Sequence, residues 1–199
     1  MSPDVSPGVI PAVSTDVSDL VWYVAYGSNL SRARFACYLE GGTPIGASHT
    51  YAGCRDRSAP HDTAALRIPG RLGFAGESLV WGGGVAFLDP DARGEVVGRG
   101  YLITTEQLDD VAGQERRYDR RAVVGDRDGV AVVALTRTEA YQAAAPSAAY
   151  LRTILHGLTD GLLDLDAAIT YLLGARGVGQ LWDEPTIRAL LEQPARPRR

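Results

Sequence analysis

The chain has 199 residues, of which 45% are hydrophobic and 22% are charged, and its formal net charge is -4. This composition is typical of a soluble globular protein and excludes a disordered or fibrous main body. The negative charge argues against a nucleic-acid partner, whose phosphates attract a basic surface. All 20 basic residues are arginine, which excludes a Schiff-base lysine and the lysine of a phosphate-binding loop.

The two ends of the chain differ in composition from its body. Residues 1–20 are rich in Pro, Ser, Val and Asp and contain no basic residue, which predicts a flexible N-terminal tail and not a secretory signal. Residues 194–199 predict a basic, solvated C-terminal tail. The remaining residues, 21–193, have the length of one ordinary domain. We therefore predict a single domain between two tails.

Cysteine and histidine usage bears on metal binding and on the cell compartment. The two cysteines, Cys37 and Cys54, and the three histidines are spread along the chain without the close pairing of metal sites. Two reduced thiols suit a cytoplasmic protein better than a disulfide does. No apolar run approaches the roughly 20 residues that span a bilayer. We therefore expect a cytoplasmic protein with no bound metal and no membrane partner.

The first predicted elements are a strand and a helix joined by a polar turn. Residues 21–25 are β-branched and aromatic, which predicts a buried strand. The turn that follows, Tyr26-Gly27-Ser28-Asn29-Leu30, places a glycine, a hydroxyl and an amide where the strand ends. Ser31 can cap a helix that runs to about residue 39 and ends at Gly41-Gly42.

The middle of the chain predicts short strands. A polar stretch between residues 53 and 70 predicts an ordered loop. Apolar runs then predict strands at 71–74, 84–88, 96–103, 121–124 and 130–137. The connection at 89–94 favours an antiparallel hairpin between its flanking strands, and residues 125–129 favour a second hairpin.

The last third of the chain predicts helices. Apolar residues at helical spacing cover 147–158 and 165–173, and a shorter segment, 184–191, follows Asp183 as a cap. Hairpins followed by helices indicate an α+β fold, with a mostly antiparallel sheet or partial β-barrel and flanking helices.

One carboxylate stands out by its predicted environment. The segment 105–115 begins with a threonine cap and predicts a helix, on which Leu108, Val111 and Ala112 form an apolar face. Glu115 lies seven residues beyond Leu108 and continues this face. Burial raises the pKa of a carboxyl group toward working pH, as a general base requires. Alternatively, the helix ends before Glu115, or its carboxylate pairs with a nearby arginine, namely Arg116, Arg117 or Arg120.

The turn after the first strand also has two interpretations. Gly-Ser-Asn is common in ordinary turns, but it also suits the binding of an anion or a carbonyl oxygen through backbone N–H groups. The nine residues 23–31, Tyr-Val-Ala-Tyr-Gly-Ser-Asn-Leu-Ser, resemble the opening signature of the γ-glutamylcyclotransferase-like family. That family converts γ-glutamyl amines or dipeptides into 5-oxoproline and a free amine.

Two further segments resemble the same family. Its general base is an acidic residue well downstream of this turn, at the end of a helix that follows a strand, which is the position of Glu115 here. The family often has glycine after this residue, whereas this chain has Arg116-Arg117. We expect these two arginines to point outward. The segment 146–150, Pro-Ser-Ala-Ala-Tyr, is similar to the Pro-Ser-x-x-Tyr of the family, whose tyrosine contributes to the substrate pocket, and it places Tyr150 there.

The resemblance implies an enzyme, with acyl-transfer or amine-lyase chemistry, that needs no cofactor. Glu115 would be the general base, and the substrate-binding residues would be Tyr26, Gly27, Ser28, Asn29, Leu30 and Tyr150. Its partner would be a small-molecule γ-glutamyl substrate, whose leaving amine stays open, as does the oligomeric state. Two alternatives remain: a non-catalytic module that binds a γ-glutamyl ligand, and a γ-glutamyl amidase that gives free glutamate.

Overall fold

The computed structural model describes residues 19–45, 47, 49–78, 80–139, 142–179 and 181–192. Nearly all of the two predicted tails lies outside these residues, and Leu20, which was assigned to the N-terminal tail, begins the first strand. Within the described ranges, no helix is both long enough and apolar enough to cross a membrane.

Seven strands and five helices make up the described chain, with one short 3₁₀ turn, Ser28–Leu30. In chain order they are β1 Leu20–Ala25, α1 Arg32–Glu40, β2 Asp62–Pro69, β3 Arg71–Ala75, β4 Val85–Asp89, β5 Glu95–Thr104, α2 Thr105–Gln114, β6 Arg120–Arg127, β7 Val130–Thr136, α3 Ala148–Thr159, α4 Leu165–Leu173 and α5 Glu184–Ala189.

The strands form two sheets. Five of them pair in the order β2-β5-β1-β7-β6, and β3 pairs with β4 in a second, two-stranded sheet. The central strand β1 is antiparallel to β5 and parallel to β7, and the remaining pairs are antiparallel. The predicted α+β class with a mostly antiparallel sheet is confirmed, and the described strands do not close into a barrel.

Strand β1 separates two hydrophobic cores. Its side chains alternate in direction, as in any strand. Val21, Tyr23 and Ala25 pack with residues of α1 and α2. Trp22 and Val24 pack on the opposite face with residues of α3, α4 and α5. Because helices cover both faces, β1 is apolar along its whole length and does not alternate with polar residues.

Two predictions about the middle of the chain are wrong. Strand β2 occupies the second half of the predicted loop between residues 53 and 70, and it pairs with β5 over eight residues, from Asp62↔Leu102 to Pro69↔Glu95. It is an edge strand in which every second residue, Ala64, Leu66 and Ile68, packs on the larger core. The prediction missed this short alternation because polar residues dominate the segment before it. Because β5 pairs with β2 and β1, β4 pairs with β3 and not with β5.

The second predicted hairpin is confirmed. Strands β6 and β7 pair around Asp128-Gly129, a turn shorter than the predicted residues 125–129. The φ angles of Asp128 and Gly129 are 55° and 81°, the positive values that a two-residue hairpin turn of type I′ requires.

The predicted helix caps Ser31 and Asp183 are confirmed, Ser147 is a further cap, and the cap of α2 differs from the prediction. The hydroxyls of Ser31 and Ser147 and the carboxylate of Asp183 accept hydrogen bonds from backbone N–H groups in the first turns of α1, α3 and α5. The cap of α2 is Thr104, not Thr105. Its hydroxyl accepts from the Gln107 N–H while the Gln107 side chain accepts from the Thr104 N–H, so the two residues form a capping box.

Candidate active site

Strand pairing and helix length bring Glu115 to the turn after β1. The last residue of β5, Thr104, pairs with the first residue of β1, Leu20. Helix α2 starts there and packs on both strands. Its ten residues span about 15 Å, close to the length of a six-residue strand. The helix therefore ends near the opposite end of β1, where Tyr26 to Leu30 lie.

Buried polar side chains of β5 hold the backbone of this turn. The Tyr101 hydroxyl donates to the Asn29 carbonyl oxygen at 2.8 Å, and the Arg99 Nε donates to the Leu30 carbonyl oxygen at 2.8 Å. The other end of the Arg99 guanidinium donates to the Gly157 and Asp160 carbonyl oxygens of α3 and its cap. The Leu30 side chain packs into the larger core. Strand β5, its link to α3 through Arg99, and the larger core therefore hold the turn, which keeps the N–H groups of the turn in place.

Asn29 and Glu115 are in direct contact. The Asn29 Nδ2 donates to the Glu115 Oε1 at 3.2 Å, and the Tyr23 hydroxyl lies 3.5 Å from the same nitrogen. The Asn29 Oδ1 is buried and has no hydrogen-bond partner among the described residues. The predicted proximity of the turn and the distant acid is thus observed, but the amide nitrogen of Asn29 is directed at the acid. The predicted contact of Asn29 with a substrate oxygen stays a prediction.

Opposing effects set the ionisation of Glu115, the C-cap residue of α2. Its side chain is surrounded by protein apart from the face that lines a cavity, and this burial raises the pKa of its carboxyl above the ordinary value. A hydrogen-bonding interaction with the Tyr38 hydroxyl, the positive charge of Arg34 and the hydrogen bond from Asn29 each lower the pKa and so limit the rise.

The predicted alternative, an ion pair of Glu115 with a neighbouring arginine, is not observed. Within the described ranges no ion pair includes Glu115, and Arg120 pairs with Asp91 at 3.1 Å. Arg116 is exposed and Arg117 is half-buried, and both line the same cavity as Glu115. The guanidinium that affects Glu115 belongs instead to Arg34, 81 positions earlier in the chain.

A cavity of about 510 Å³ joins these groups. Its volume is in the range of sites that hold small metabolites. Three residues predicted for the site line it, Ser28, Glu115 and Tyr150. Residues that the sequence analysis did not single out supply much of the remaining wall: Arg34, Tyr38, Tyr51, Trp81 and Tyr118. Among the described residues, no group of three or more side chains suited to a metal ion is found.

Tyr150 contacts the turn from α3. Its hydroxyl oxygen accepts from the Ala86 N–H at 3.2 Å and also interacts with the Ser28 backbone N–H. A Cβ on Gly27 would lie 3.0 Å from this oxygen, so a glycine lets the turn approach the hydroxyl. Burial raises the pKa of Tyr150 to about 12, which keeps the hydroxyl protonated at neutral pH.

The two ends of the predicted binding motif face away from the large cavity. The Tyr26 hydroxyl donates to the Leu135 carbonyl oxygen at 2.5 Å and thereby ties the turn to β7. Tyr26, Gly27 and Asn29 line a separate cavity of about 20 Å³ beside Glu115, enough for a single water molecule. Leu30 is fully buried. The geometry gives Tyr26 and Leu30 anchoring contacts, and their predicted contact with substrate stays a prediction.

Arg34 is the most unusual residue that the sequence analysis missed. Its side chain is buried, with a residue exposure of 6%. The guanidinium carbon lies 4.7 Å from the centre of the Trp81 ring, and the Nη2 donates to the Tyr51 hydroxyl at 2.6 Å. The spacing of Arg34 and Tyr38 on α1 places both on one face, which is the one signal in the sequence that links them.

Comparison with known proteins gives one partial sequence relative and several structural ones. No family model matches the sequence. The chain is 42% identical over 117 residues to "Histone deacetylase 5" of Arabidopsis thaliana, a match that covers 54% of this chain and 17% of that protein. The chain thus spans about a sixth of the length of this relative.

The solved structures match over most of the chain. A gamma-glutamyl cyclotransferase superposes with a TM-score of 0.57 at 19% identity, covering 88% of this chain and all of that one. An uncharacterized protein, loc79017, from Homo sapiens superposes with a TM-score of 0.56 at 20% identity, covering 88% of this chain and 99% of that one. The predicted fold is confirmed: the chain has the γ-glutamylcyclotransferase-like fold.

Proposed function

We propose that the protein is an enzyme that releases 5-oxoproline and a free amine from a γ-glutamyl amine or dipeptide. The observation that supports this most strongly is the position of Glu115. Glu115 lines a cavity of about 510 Å³ together with Ser28, and its carboxylate accepts a hydrogen bond from Asn29 of the same turn as Ser28. A poised carboxylate beside a turn of N–H groups and small polar side chains suits acyl transfer.

The reaction is an intramolecular rearrangement in which the substrate supplies its own nucleophile. Glu115 takes a proton from the α-ammonium, and the freed α-nitrogen attacks the γ-carbonyl carbon to form the new C–N bond of the ring. The bond from this carbon to the leaving nitrogen then breaks, and Glu115 returns the proton to that nitrogen. Glu115 next carries the second proton of the attacking nitrogen to the same leaving nitrogen, so the ring keeps one N–H and the amine leaves as an ammonium ion. Water is not consumed, so the atoms of the substrate equal those of 5-oxoproline and the amine. The site would hold the γ-glutamyl group in a folded-back conformation, which raises the effective concentration of the α-nitrogen at the γ-carbonyl carbon.

In this proposal, Tyr150 and the turn stabilise the oxyanion of the tetrahedral intermediate. The Tyr150 hydroxyl oxygen already accepts from the Ala86 N–H and interacts with the Ser28 N–H, so its own proton remains to be donated into the cavity. Ser28 lines the same cavity, and its hydroxyl is a further donor in this proposal. Donors fixed in advance at a developing negative charge are worth more than donors that must reorganise.

A product assay with γ-glutamyl compounds tests this function. The purified protein is incubated with a γ-glutamyl amino acid, a γ-glutamyl alkylamine and glutathione, and the products are separated by mass spectrometry. We expect 5-oxoproline and the free amine, with no free glutamate. Free glutamate would identify an amidase instead. A ligand-dependent rise in melting temperature with neither product would identify a binding module. The expected small-molecule partner and cytoplasmic location are parts of the same proposal.

A further inference from the structure

We propose that Arg34 and Tyr51 form a carboxylate-binding subsite in the cavity of about 510 Å³, and that this subsite holds the carboxylate of a leaving amino acid. The identity of the ligand rests on the function proposed above, whereas the binding of an anion does not. The preferred substrates are then γ-glutamyl amino acids. A γ-glutamyl alkylamine binds more weakly because its leaving group has no carboxylate.

Arg34 is a buried cation with few partners in the protein. Its exposure is 6%, and it lines the cavity. Its Nη2 donates to the Tyr51 hydroxyl oxygen at 2.6 Å, and its buried Nε has no acceptor among the described residues. None of the ion pairs in the described ranges includes Arg34. Because a buried charge without a counter-ion is costly, an anionic ligand would offset this cost.

The Tyr51 hydroxyl is a second donor available to the ligand. Its oxygen accepts from the Arg34 Nη2 and, at 3.0 Å, from the Tyr38 hydroxyl. These two bonds use both lone pairs of the oxygen, so the hydroxyl proton remains to be donated. Burial raises the pKa of Tyr51 above its ordinary value, which keeps this proton in place at pH 7. Tyr51 lines the cavity, where a carboxylate oxygen can accept the proton.

Aromatic rings hold the guanidinium of Arg34 in place. Its carbon lies 4.7 Å from the centre of the Trp81 ring and 5.5 Å from that of Tyr51. Both rings attract the cation and limit its movement. A side chain that is held in advance loses little conformational entropy when a ligand binds. The planar array of N–H groups matches the two oxygens of a carboxylate.

The charges around the cavity favour a ligand with an additional negative group. Three arginines line it, Arg34, Arg116 and Arg117, with one acid, Glu115, although the whole chain has a net charge of -4. A γ-glutamyl amino acid has two carboxylates and one ammonium group, whereas a γ-glutamyl alkylamine has one of each. The amino-acid compound is therefore the better electrostatic match for this cavity.

The position of Arg34 suits the leaving end of the substrate. The Trp81 ring contacts Arg34 and also the ring of Tyr150, with centroids 5.0 Å apart, and Tyr150 is the proposed donor to the oxyanion. The carboxylate of the γ-glutamyl group is bonded to the carbon that carries the α-nitrogen, and this nitrogen must face Glu115. The leaving amino acid extends from the other side of the γ-carbonyl carbon. Its carboxylate can then reach Arg34.

Two substrates that differ in one group test the subsite. γ-Glutamylalanine and γ-glutamylethylamine are identical at the reacting end, and γ-glutamylalanine alone has a carboxylate on its leaving group. We expect the native protein to favour γ-glutamylalanine in kcat/KM by about 10- to 100-fold. Arg34→Met should abolish this preference, mainly through KM. A preference that persists in Arg34→Met overturns the proposal, as does an equal loss of kcat/KM for both substrates, which would assign Arg34 to the γ-glutamyl end.

Arg116→Met is the matched control for the loss of a positive charge, because Arg116 lines the same cavity but is exposed. It should change the ratio of the two kcat/KM values by no more than about twofold. If Arg116→Met and Arg34→Met reduce the ratio equally, the total charge of the cavity acts and the subsite is refuted.

Tyr51→Phe removes the second donor and should lower the same ratio by about 3- to 10-fold. An unchanged ratio in Tyr51→Phe contradicts the role of its hydroxyl. Should Arg34→Met fail to fold, Tyr51→Phe with the Arg116→Met control still decides the question.

Binding measurements separate this inference from the proposed function. If no 5-oxoproline forms, isothermal titration calorimetry of both compounds with the native protein and with Arg34→Met tests the subsite alone. Tighter binding of γ-glutamylalanine by the native protein, lost in Arg34→Met, would support the subsite while the proposed function fails. Equal binding of the two compounds, or binding of neither, would overturn the subsite.

Discussion

Two cavities of this protein are lined by arginines and acidic residues. In one cavity an arginine and an acid form an exposed ion pair, and in the other the buried arginine and the acid are not paired. A cavity of about 290 Å³ lies between the small sheet and β7. Its Arg120 pairs with Asp91 at 3.1 Å, and their side chains are 37% and 76% exposed. In the cavity of about 510 Å³, Arg34 is buried and no carboxylate lies within 4.0 Å of it among the described residues.

The difference shows that pairing and solvation, more than volume, decide what a cavity can do. Ion pairs open to water are screened and contribute little. A buried cation and a half-buried acid that are held apart keep part of their electric fields, because the surrounding protein screens them less than water does. Unpaired charged groups inside a protein lower its free energy of unfolding. Such groups with perturbed ionisation are typical of functional sites. Equivalent substitutions in the two cavities should therefore have unequal effects.

The largest difference is expected for the acids. Glu115→Gln removes the proposed general base and should reduce turnover by about 10² to 10⁴-fold, with the fold retained. Glu139, an exposed residue of the second cavity, supplies the matched substitution Glu139→Gln, which should leave turnover unchanged. Release of 5-oxoproline by both variants, alongside their circular dichroism spectra, measures the contrast. Equal activities would show that Glu115 is not the base.

A smaller but substantial contrast is expected for two arginines. Arg99→Leu leaves the carbonyl oxygens of Leu30 and Gly157 without their donor, which should lower the free energy of unfolding by about 3 kcal/mol. Arg120→Leu breaks a half-exposed pair and should cost less than about 1 kcal/mol. Urea denaturation measures both values. A small effect for Arg99→Leu would mean that the turn after β1 does not need this anchor.

The smallest contrast is expected for two glycines. A Cβ on Gly157 would lie 2.4 Å from the Leu30 Cβ and 2.9 Å from its backbone carbon, so Gly157→Ala should cost about 1–3 kcal/mol and displace the turn. Gly73 lines the cavity of about 290 Å³. A Cβ on Gly73 would lie 3.6 Å from the Arg176 Cβ, an ordinary van der Waals contact distance. Gly73→Ala should be neutral or stabilise by less than about 1 kcal/mol.

These glycine variants also link packing to activity. If Gly157→Ala loses stability but keeps full turnover, the turn tolerates displacement and its N–H groups are not critical. If Gly73→Ala lowers the melting temperature as much as Gly157→Ala does, the close approach of α3 to the turn does not explain the effect of Gly157→Ala. Melting temperatures and 5-oxoproline release, measured on the same samples, decide between these outcomes.

Local signals in the sequence were sufficient for most elements. The apolar run of β1, the caps Ser31 and Asp183, and the apolar face of α2 each predicted the element that the structure contains. Such signals depend on neighbours within one or two turns of the chain. Strand β2 has only a short alternation, Ala64, Leu66 and Ile68, which the polar composition of the preceding residues outweighed in the prediction of a loop.

By itself, the sequence determined the α+β class, the order of the elements other than β2, and the two halves of the candidate site, the turn from Tyr26 to Leu30 and the acid Glu115. The tertiary structure alone decided which groups surround that acid. Arg34 and Tyr51 are far from Glu115 in the chain and reach its cavity because α1 and α2 pack side by side on one face of the sheet. Hydrogen bonds and charge effects act over ångströms in space, so contacts between distant segments leave no local pattern in the sequence.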